Sequence, residues 1–367
     1  MDIQSTTSLH VASWPGDKDT PNPFLTIFLG GLRQAGLRVS SLETVEAISG
    51  TEADIVLIHW PERIFAEAGS RWKLAGIIRG LLSALKARPA GTKVVWLVHN
   101  TEPHDARPLQ QLIWPTYIAA LIRQVDGILT LSPGTLDIVR RRYPALARVS
   151  GEGLWHPAYR DVVLAPAGRA AARAELEWDA THRVLGYCGQ IRPYKGLEDL
   201  VRAFRGCAAP DLRLLITGMT RNRAYSASLA AMAAGDPRIV LRFDALSAEA
   251  FRAATAVCDI TVAPFRRYLH SGSLVYSLSA QTPVLTPRTP FASDLRSLLG
   301  PDWVHLYDGD LTPKVLETTA AMPPPARPPD LASLSGEVVG LQAATFFARL
   351  VGRASTTPPR RVSFGGS

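Results

Sequence analysis

Short runs rich in Val, Ile and Leu alternate with longer stretches of helical period along most of the chain. In the first half the short runs fall at 9–13, 37–41, 55–59, 94–99, 127–131 and 147–150, and helical spacing fills 23–35, 71–87, 109–124 and 133–143. A brief apolar run bounded by turn formers reads as a strand covered on both faces, and strands alternating with helices read as a parallel sheet. The second half repeats the pattern with runs at 184–188, 212–217, 239–243, 260–263 and 284–286. The predicted fold class is therefore α/β, with two Rossmann-like domains whose facing sheet edges leave a cleft for ligands. The expected division is 1–155 and 156–335, joined through a looser stretch at 151–180 that contains Trp155-His156-Pro157. After the proline-rich stretch 323–329, helical spacing over 331–351 predicts a last helix, assigned to 336–355 and returning to the first domain. Residues 356–367 read as a disordered tail.

Composition narrows the function classes. The chain has 367 residues and 47% hydrophobic content, enough for two cores and too apolar for global disorder. No apolar run is long enough to cross a membrane, and MDIQSTTSLH lacks the basic-then-apolar layout of a signal peptide, so the expected location is cytoplasmic. Cys188, Cys207 and Cys258 are widely spaced and read as reduced core residues. A net charge of +8 suits phosphorylated ligands, anionic membrane or nucleic acid, and the chain carries no nucleic-acid-binding motif. The helix predicted over 71–86, RWKLAGIIRGLLSALK, combines Trp72, Leu74, Ile77, Ile78, Leu81, Leu82 and Leu85 with Arg71, Lys73, Arg79 and Lys86. It reads either as a domain helix with a solvated basic face or as one that meets anionic lipid.

Two loops have the chemistry of a diphosphate site. At 262–287 an apolar run breaks into a polar loop with Arg266, Arg267, His270 and Ser271-Gly272-Ser273, then continues as a helix. Small residues at a helix start expose backbone N–H groups toward the positive end of the helix dipole. At 186–204, GYCGQIRPYKGLEDLVRAF, a strand ends at Gly189 and its loop carries Gln190, Arg192 and Lys195 before Gly196 opens a helix. Two cations and two glycines there allow a diphosphate to approach the backbone closely.

The order G-x-I-R-x-x-K-G at 189–196, the strand LRLLITG ending at Gly218, Asp259 and Pro264, and the later QTPVL resemble the donor half of GT-B glycosyltransferases. The resemblance implies that Arg192 and Lys195 contact the donor diphosphate and that Ser271, Gly272 and Ser273 hold the phosphates. It further implies that Gly189, Gln190, His99, Gly218, His270 and Tyr268 lie near the donor sugar or nucleotide. The base of the nucleotide would lie near 219–223 and 243–246. Retaining members of that superfamily carry a pair of glutamates where Tyr268 and Tyr276 stand here, so an inverting displacement is implied instead.

Trp14-Pro15, Asn22-Pro23-Phe24-Leu25, His270-Ser271-Gly272-Ser273 and Thr282-Pro283-Val284-Leu285-Thr286-Pro287 resemble bacterial exopolysaccharide enzymes of the xanthan β-mannosyltransferase type. That resemblance implies a GDP-mannose donor, a polyprenyl-diphosphate-linked oligosaccharide acceptor and peripheral contact with the inner membrane. UDP-sugar-dependent glucuronosyl- or glucosyltransferases, a retaining transferase and a non-catalytic sugar-nucleotide-binding protein remain open beside it.

An inverting transfer needs a base near the acceptor hydroxyl. The segment following the run 94–99 supplies Glu102, His104 and Asp105 as candidates, with Asp17 and Glu62 in reserve. No DxD-type metal signature stands out in a loop, so neither a metal nor a cofactor is expected, and Arg192, Lys195 and the helix N-terminus stabilise the leaving group in this reading.

Overall fold

The computed structural model describes residues 8–17, 23–67, 70–103, 107–163, 165–265 and 267–353. The chain divides into two units. One comprises the described residues up to Thr130, Leu136–Leu154 and those from Gly336 onward; the other comprises Leu131–Thr135 and Trp155–Ser335.

The first unit runs β1 (His10–Trp14), α1 (Pro23–Gln34), β2 (Arg38–Ser41), β3 (Ile55–His59), α2 (Ile64–Glu67), α3 (Arg71–Lys86), β4 (Lys93–Leu97), α4 (Pro108–Ile122), β5 (Gly127–Thr130), α5 (Leu136–Arg142) and β6 (Ser150–Gly153). Its sheet has the order β2-β1-β3-β4-β5-β6, and the strand pairs are parallel. Every residue of β3 is buried, as expected for a central strand with helices on both faces. The run expected at 147–150 is displaced. Pro144–Arg148 forms a 3-10 turn, and the edge strand is the polar Ser150–Gly153, whose Gly151 sits opposite Ile128.

The second unit runs α6 (Pro166–Ala174), β7 (Arg183–Cys188), α7 (Leu197–Arg205), β8 (Leu212–Thr217), α8 (Arg223–Ala233), β9 (Ile239–Arg242), α9 (Ala248–Val257), β10 (Ile260–Val262), α10 (Gly272–Ser279), β11 (Val284–Pro287), α11 (Pro290–Leu299), β12 (Val304–Tyr307) and α12 (Pro313–Ala320). The order is β12-β11-β10-β7-β8-β9. Two of these elements lie outside the sequence expectation. The edge strand β12 has His305 in place of a continuous apolar run. Helix α6 lies inside the stretch expected as a connection and is held by Arg173, whose guanidinium donates to the Val257 carbonyl at 2.9 and 3.0 Å. A helix docked by an arginine leaves no apolar stripe to read.

The last helix, α13 (Gly336–Leu350), follows a 3-10 turn at Ala332–Leu334 and packs on α1 within the first unit. The two helices touch backbone to backbone. A Cβ on Gly31 would lie 1.9 Å from the Gly336 carbonyl oxygen, and one on Gly340 would lie 2.2 Å from the Gly31 carbonyl carbon. The expected tail, 356–367, lies outside the described residues.

Both sheets reverse direction of winding at their first strand, between β1 and β3 in one and between β7 and β10 in the other. Open parallel sheets bind ligands beyond the carboxyl ends of such strands.

Candidate active site

At the carboxyl edge of the second sheet the loops after β7 and β8 lie in backbone contact. Gly189 (φ 152°) donates its N–H to the Thr217 carbonyl at 3.0 Å, and Ile191 donates to Met219 at 3.0 Å. Gly218 (φ 140°) has no room for a side chain, since a Cβ would stand 1.8 Å from the Gly189 oxygen. The Tyr187 hydroxyl, buried below, donates to the Gln190 carbonyl at 2.6 Å and fixes the turn. Arg192 then leads into the 3-10 turn Pro193–Lys195, and Gly196 (φ 69°) starts α7. The Lys195 ammonium sits 3.8 Å from the centre of the Phe265 ring, a cation–π contact that joins this loop to the one after β10.

That second loop ends at Ser271, whose hydroxyl accepts from the Leu274 N–H at 3.3 Å as the N-cap of α10 and lies 3.0 Å from the Ser273 hydroxyl. Gly272 sits under two side chains: a Cβ there would lie 2.9 Å from the Tyr159 hydroxyl and 3.4 Å from His156 Nε2. Burial pushes the His156 pKa down to about 4, so this imidazole is neutral at physiological pH. Gly189, Gln190, Arg192, Lys195, Gly218 and Ser271–Gly272–Ser273 thus all follow the carboxyl ends of this sheet's strands.

Two predicted donor contacts carry bonds within the fold instead. The Tyr268 hydroxyl lies 3.1 Å from Thr286 Oγ1 and accepts from Thr289 Oγ1 at 3.0 Å, and burial raises its pKa. His270 Nε2 accepts from the Leu131 N–H at 3.0 Å and lies 2.8 Å from Thr135 Oγ1. The first bond assigns the ring proton to Nδ1. Asp259, part of the motif resemblance, lies at the opposite edge of the sheet. Its carboxylate accepts from the Val184 N–H at 2.7 Å and pairs with Arg169 at 2.6 Å and Arg173 at 2.8 Å. Arg266 lies outside the described residues.

The corresponding edge of the first sheet is aromatic. His59 Nδ1 and His99 Nε2 are 3.1 Å apart, His99 stacks on Trp60 with ring centres at 4.1 Å, and Phe24 meets His99 edge-on at 4.8 Å. Burial holds the His59 pKa down to about 3, which keeps it neutral. Trp60 adopts a left-handed conformation (φ 44°, ψ 62°), unusual for a bulky residue, and turns the chain into the short Pro61–Arg63 helix. Glu62 Oε1 accepts from Asn100 Nδ2 at 2.8 Å, while Oε2 is buried with no hydrogen-bond partner among the described residues. Burial raises its pKa to about 7. The Tyr117 hydroxyl donates to the neighbouring Pro61 carbonyl at 3.1 Å.

The other carboxylates differ. Asp17 accepts from Arg33 at 2.8 Å and Ser41 at 3.2 Å, and the Arg33 bond holds its pKa down, which makes it a weak base. Glu102 is half-exposed and 3.7 Å from Arg142. His104 and Asp105 lie outside the described residues. The sequence alone leaves Glu62 in reserve because its burial comes from partners distant in the chain; the only local signal is its place after Trp60-Pro61 at a strand end. Among the described residues, no cluster of three or more His, Cys, Asp or Glu is placed to hold a metal ion.

No protein-family model matches the chain. Among solved structures, HepE of Anabaena in complex with UDP and glucose is similar with a TM-score of 0.61 at 13% identity, over 94% of this chain and 97% of that one. The sucrose-phosphate synthase of Thermosynechococcus elongatus is similar with a TM-score of 0.60 at 14% identity, over 94% and 95%. The fold is GT-B, and two six-stranded parallel sheets are its frame. Among curated proteins, the chain is similar to the GDP-mannose:glycolipid 4-beta-D-mannosyltransferase of Xanthomonas campestris pv. campestris, 27% identical over 296 residues that span 80% of this chain and 78% of the relative. Fold and homology together make the chain a glycosyltransferase.

Proposed function

We propose that the protein transfers a hexose from a nucleotide-diphosphate donor to an oligosaccharide carried on polyprenyl diphosphate, with inversion at the anomeric carbon. The first donor to test is GDP-mannose, which the similar curated mannosyltransferase names. A UDP-sugar is the second, favoured by the UDP and glucose in the similar HepE structure. The observation that carries the reading is the edge of the second sheet. There the loops meet at Gly189 and Gly218 with no side chain between them, and Arg192 and Lys195 stand on the loop that Lys195 ties to Phe265.

In the reaction, the acceptor oxygen forms a bond to the anomeric carbon as the bond from that carbon to the diphosphate breaks. The electron pair leaves with the diphosphate, where Arg192, Lys195 and the N–H groups opening α10 offset the charge. The acceptor proton passes to a carboxylate or imidazole of the first unit. Asp105, His104 and Glu102 are the proposed bases. Glu62 joins them, because a pKa near neutrality suits proton acceptance.

A lipid-linked acceptor implies peripheral contact with the cytoplasmic face of the inner membrane. Among the described residues no helix is long and apolar enough to cross a membrane. In α3, Leu74, Leu81 and Leu85 are buried and Ile77, Ile78 and Leu82 are half-buried, so the stripe expected to meet lipid belongs largely or partly to the core, residue by residue. Exposure lies instead with Trp72 (75%) and with Leu112 of α4 (76%); neither helix contains an acidic residue, and Lys73 and Arg79 are exposed on α3. These residues are the proposed contact with anionic lipid.

The test is transfer from GDP-mannose and UDP-sugars to a short-chain polyprenyl-diphosphate oligosaccharide, with the product's anomeric configuration read by NMR. Inversion is expected. Retention contradicts the single displacement, and donor binding without transfer to any acceptor contradicts the enzyme.

A further inference from the structure

The amino edge of the second sheet, away from the loops assigned to the donor, holds a cavity of about 220 Å³. Arg183 opens β7, Asp259 precedes β10, and Trp303 precedes β12; these three line the cavity together with Arg169, Gln281 and Arg327. The charges in it do not balance. Three guanidiniums face a single carboxylate, and that carboxylate is saturated. Asp259 Oδ1 takes Arg169 at 2.6 Å and Arg183 at 3.6 Å, while Oδ2 takes the buried Arg173 at 2.8 Å and the Val184 N–H at 2.7 Å.

The arginines are committed to different degrees. Arg173 donates to the Val257, Asp179 and His182 carbonyls and belongs to the fold. Arg183 donates to the Ala320 and Met322 carbonyls, both at 2.9 Å, and so anchors the start of the proline-rich stretch whose residues 324–328 also line the cavity. Arg169 spends only Nη2, on Asp259, and Arg327 makes no hydrogen bond or ion pair to a described residue. Donors of two guanidiniums are therefore available at one cavity. Gln281, which lines it too, holds a left-handed backbone (φ 59°) as the residue that closes α10, the Thr282 N–H donating to the Ser277 carbonyl at 2.9 Å, so its place at the cavity is fixed by the helix end.

Guanidinium forks match the oxygens of a phosphate group. The indole of Trp303 and the amide of Gln281 supply an apolar wall and a polar handle for whatever the phosphate is attached to. Ligand pockets for whole drug-sized molecules run from about 300 Å³ upward. A space of 220 Å³ is too small for a nucleotide sugar and suits a phosphate carried on a group no larger than a single hexose. We propose that this cavity is a second anion site, which binds a small phosphorylated metabolite between Arg169 and Arg327.

Binding is tested by calorimetric titration of glucose 1-phosphate, with glucose as control, into an Arg192→Ala/Lys195→Ala protein, so that the proposed donor loop does not contribute. Saturable one-to-one binding of the phosphate ester, and none of glucose, is expected. Arg327→Gln is an exposed change without a fold partner and should weaken binding roughly tenfold, and Arg169→Gln by at least as much, as the loss of a charge-assisted bond implies. Absence of saturable binding overturns the site. So does affinity unchanged in both variants, or binding of glucose as tight as that of its phosphate.

Discussion

At the carboxyl edge of the second sheet two backbones meet: Gly218 crosses Gly189 so closely that it has no room for a side chain, and the cations Arg192 and Lys195 follow on the Gly189 loop. At the same edge of the first sheet, side chains fill the space. His59, His99, Trp60 and Phe24 form a closed aromatic group, and Glu62 and Asn100 bond beside it. One edge carries fixed charge on a loop held by backbone bonds, which is what the proposed diphosphate site would use. The other is made to hold titratable groups away from water, and its chemistry is proton affinity. A transferase needs both, because the leaving diphosphate requires charge and the acceptor hydroxyl requires a base.

The comparison can be broken most severely at Gly218. Gly218→Ala combines a positive φ with a Cβ placed on the Gly189 oxygen, and a loss of about 3 kcal/mol or more is expected in denaturant unfolding. A near-neutral result would mean that the two loops are not locked together.

Glu62 provides the next test. Its folded pKa, about 7, lies above its ordinary value of 4.5. Its contribution to stability is therefore fully present below pH 4.5 and is lost as pH rises through 7, a loss of roughly 3 kcal/mol by proton linkage. Glu62→Gln, which cannot ionise, should erase that slope between pH 5 and 8 and be more stable than the parent above pH 7. An unchanged slope would show that Glu62 titrates as an exposed carboxyl.

The first sheet's edge resisted sequence reading for the same reason that it titrates oddly. Burial of Glu62 depends on Asn100, 38 positions away, and on Tyr117 bonding to Pro61 across 56 positions. At the second edge the close backbone approach was legible because it demands glycine, and Gly189 and Gly218 can be seen in the bare chain beside Arg192 and Lys195, the cations of the proposed diphosphate site. Most strands were legible as short runs rich in Val, Ile and Leu. Strand β12 was not, because His305 interrupts it, and α6 was not, because Arg173 docks it through hydrogen bonds. Tyr268 and His270 show the limit of reasoning by motif position. Each sits in a loop with the right address, and the Tyr268 hydroxyl and His270 Nε2 also hold Thr286, Thr289, Leu131 and Thr135, bonds that motif position does not reveal.

Tyr268→Phe sharpens that distinction. Loss of its hydroxyl bonds should cost about 1–2 kcal/mol of stability and leave donor affinity within about twofold. A large rise in donor KM with unchanged stability would return Tyr268 to the donor site. The smallest expected change in stability is at the exposed pair. Trp72→Ser with Leu112→Ser should alter unfolding by no more than about 0.5 kcal/mol. The same double variant should lower co-sedimentation with vesicles containing anionic lipid, and undiminished recovery would remove this surface from any membrane contact.

The central claim is that the donor diphosphate is held by the fixed charges at the second sheet's edge. Calorimetric titration of GDP-mannose and of UDP-glucose into the parent and into Arg192→Ala/Lys195→Ala tests it most directly. The account predicts that at least one donor binds the parent, that the double variant binds it about 100-fold more weakly, and that the variant loses only about 1 kcal/mol of stability, the size of the Lys195–Phe265 contact. Equal donor affinity in the two proteins would contradict it.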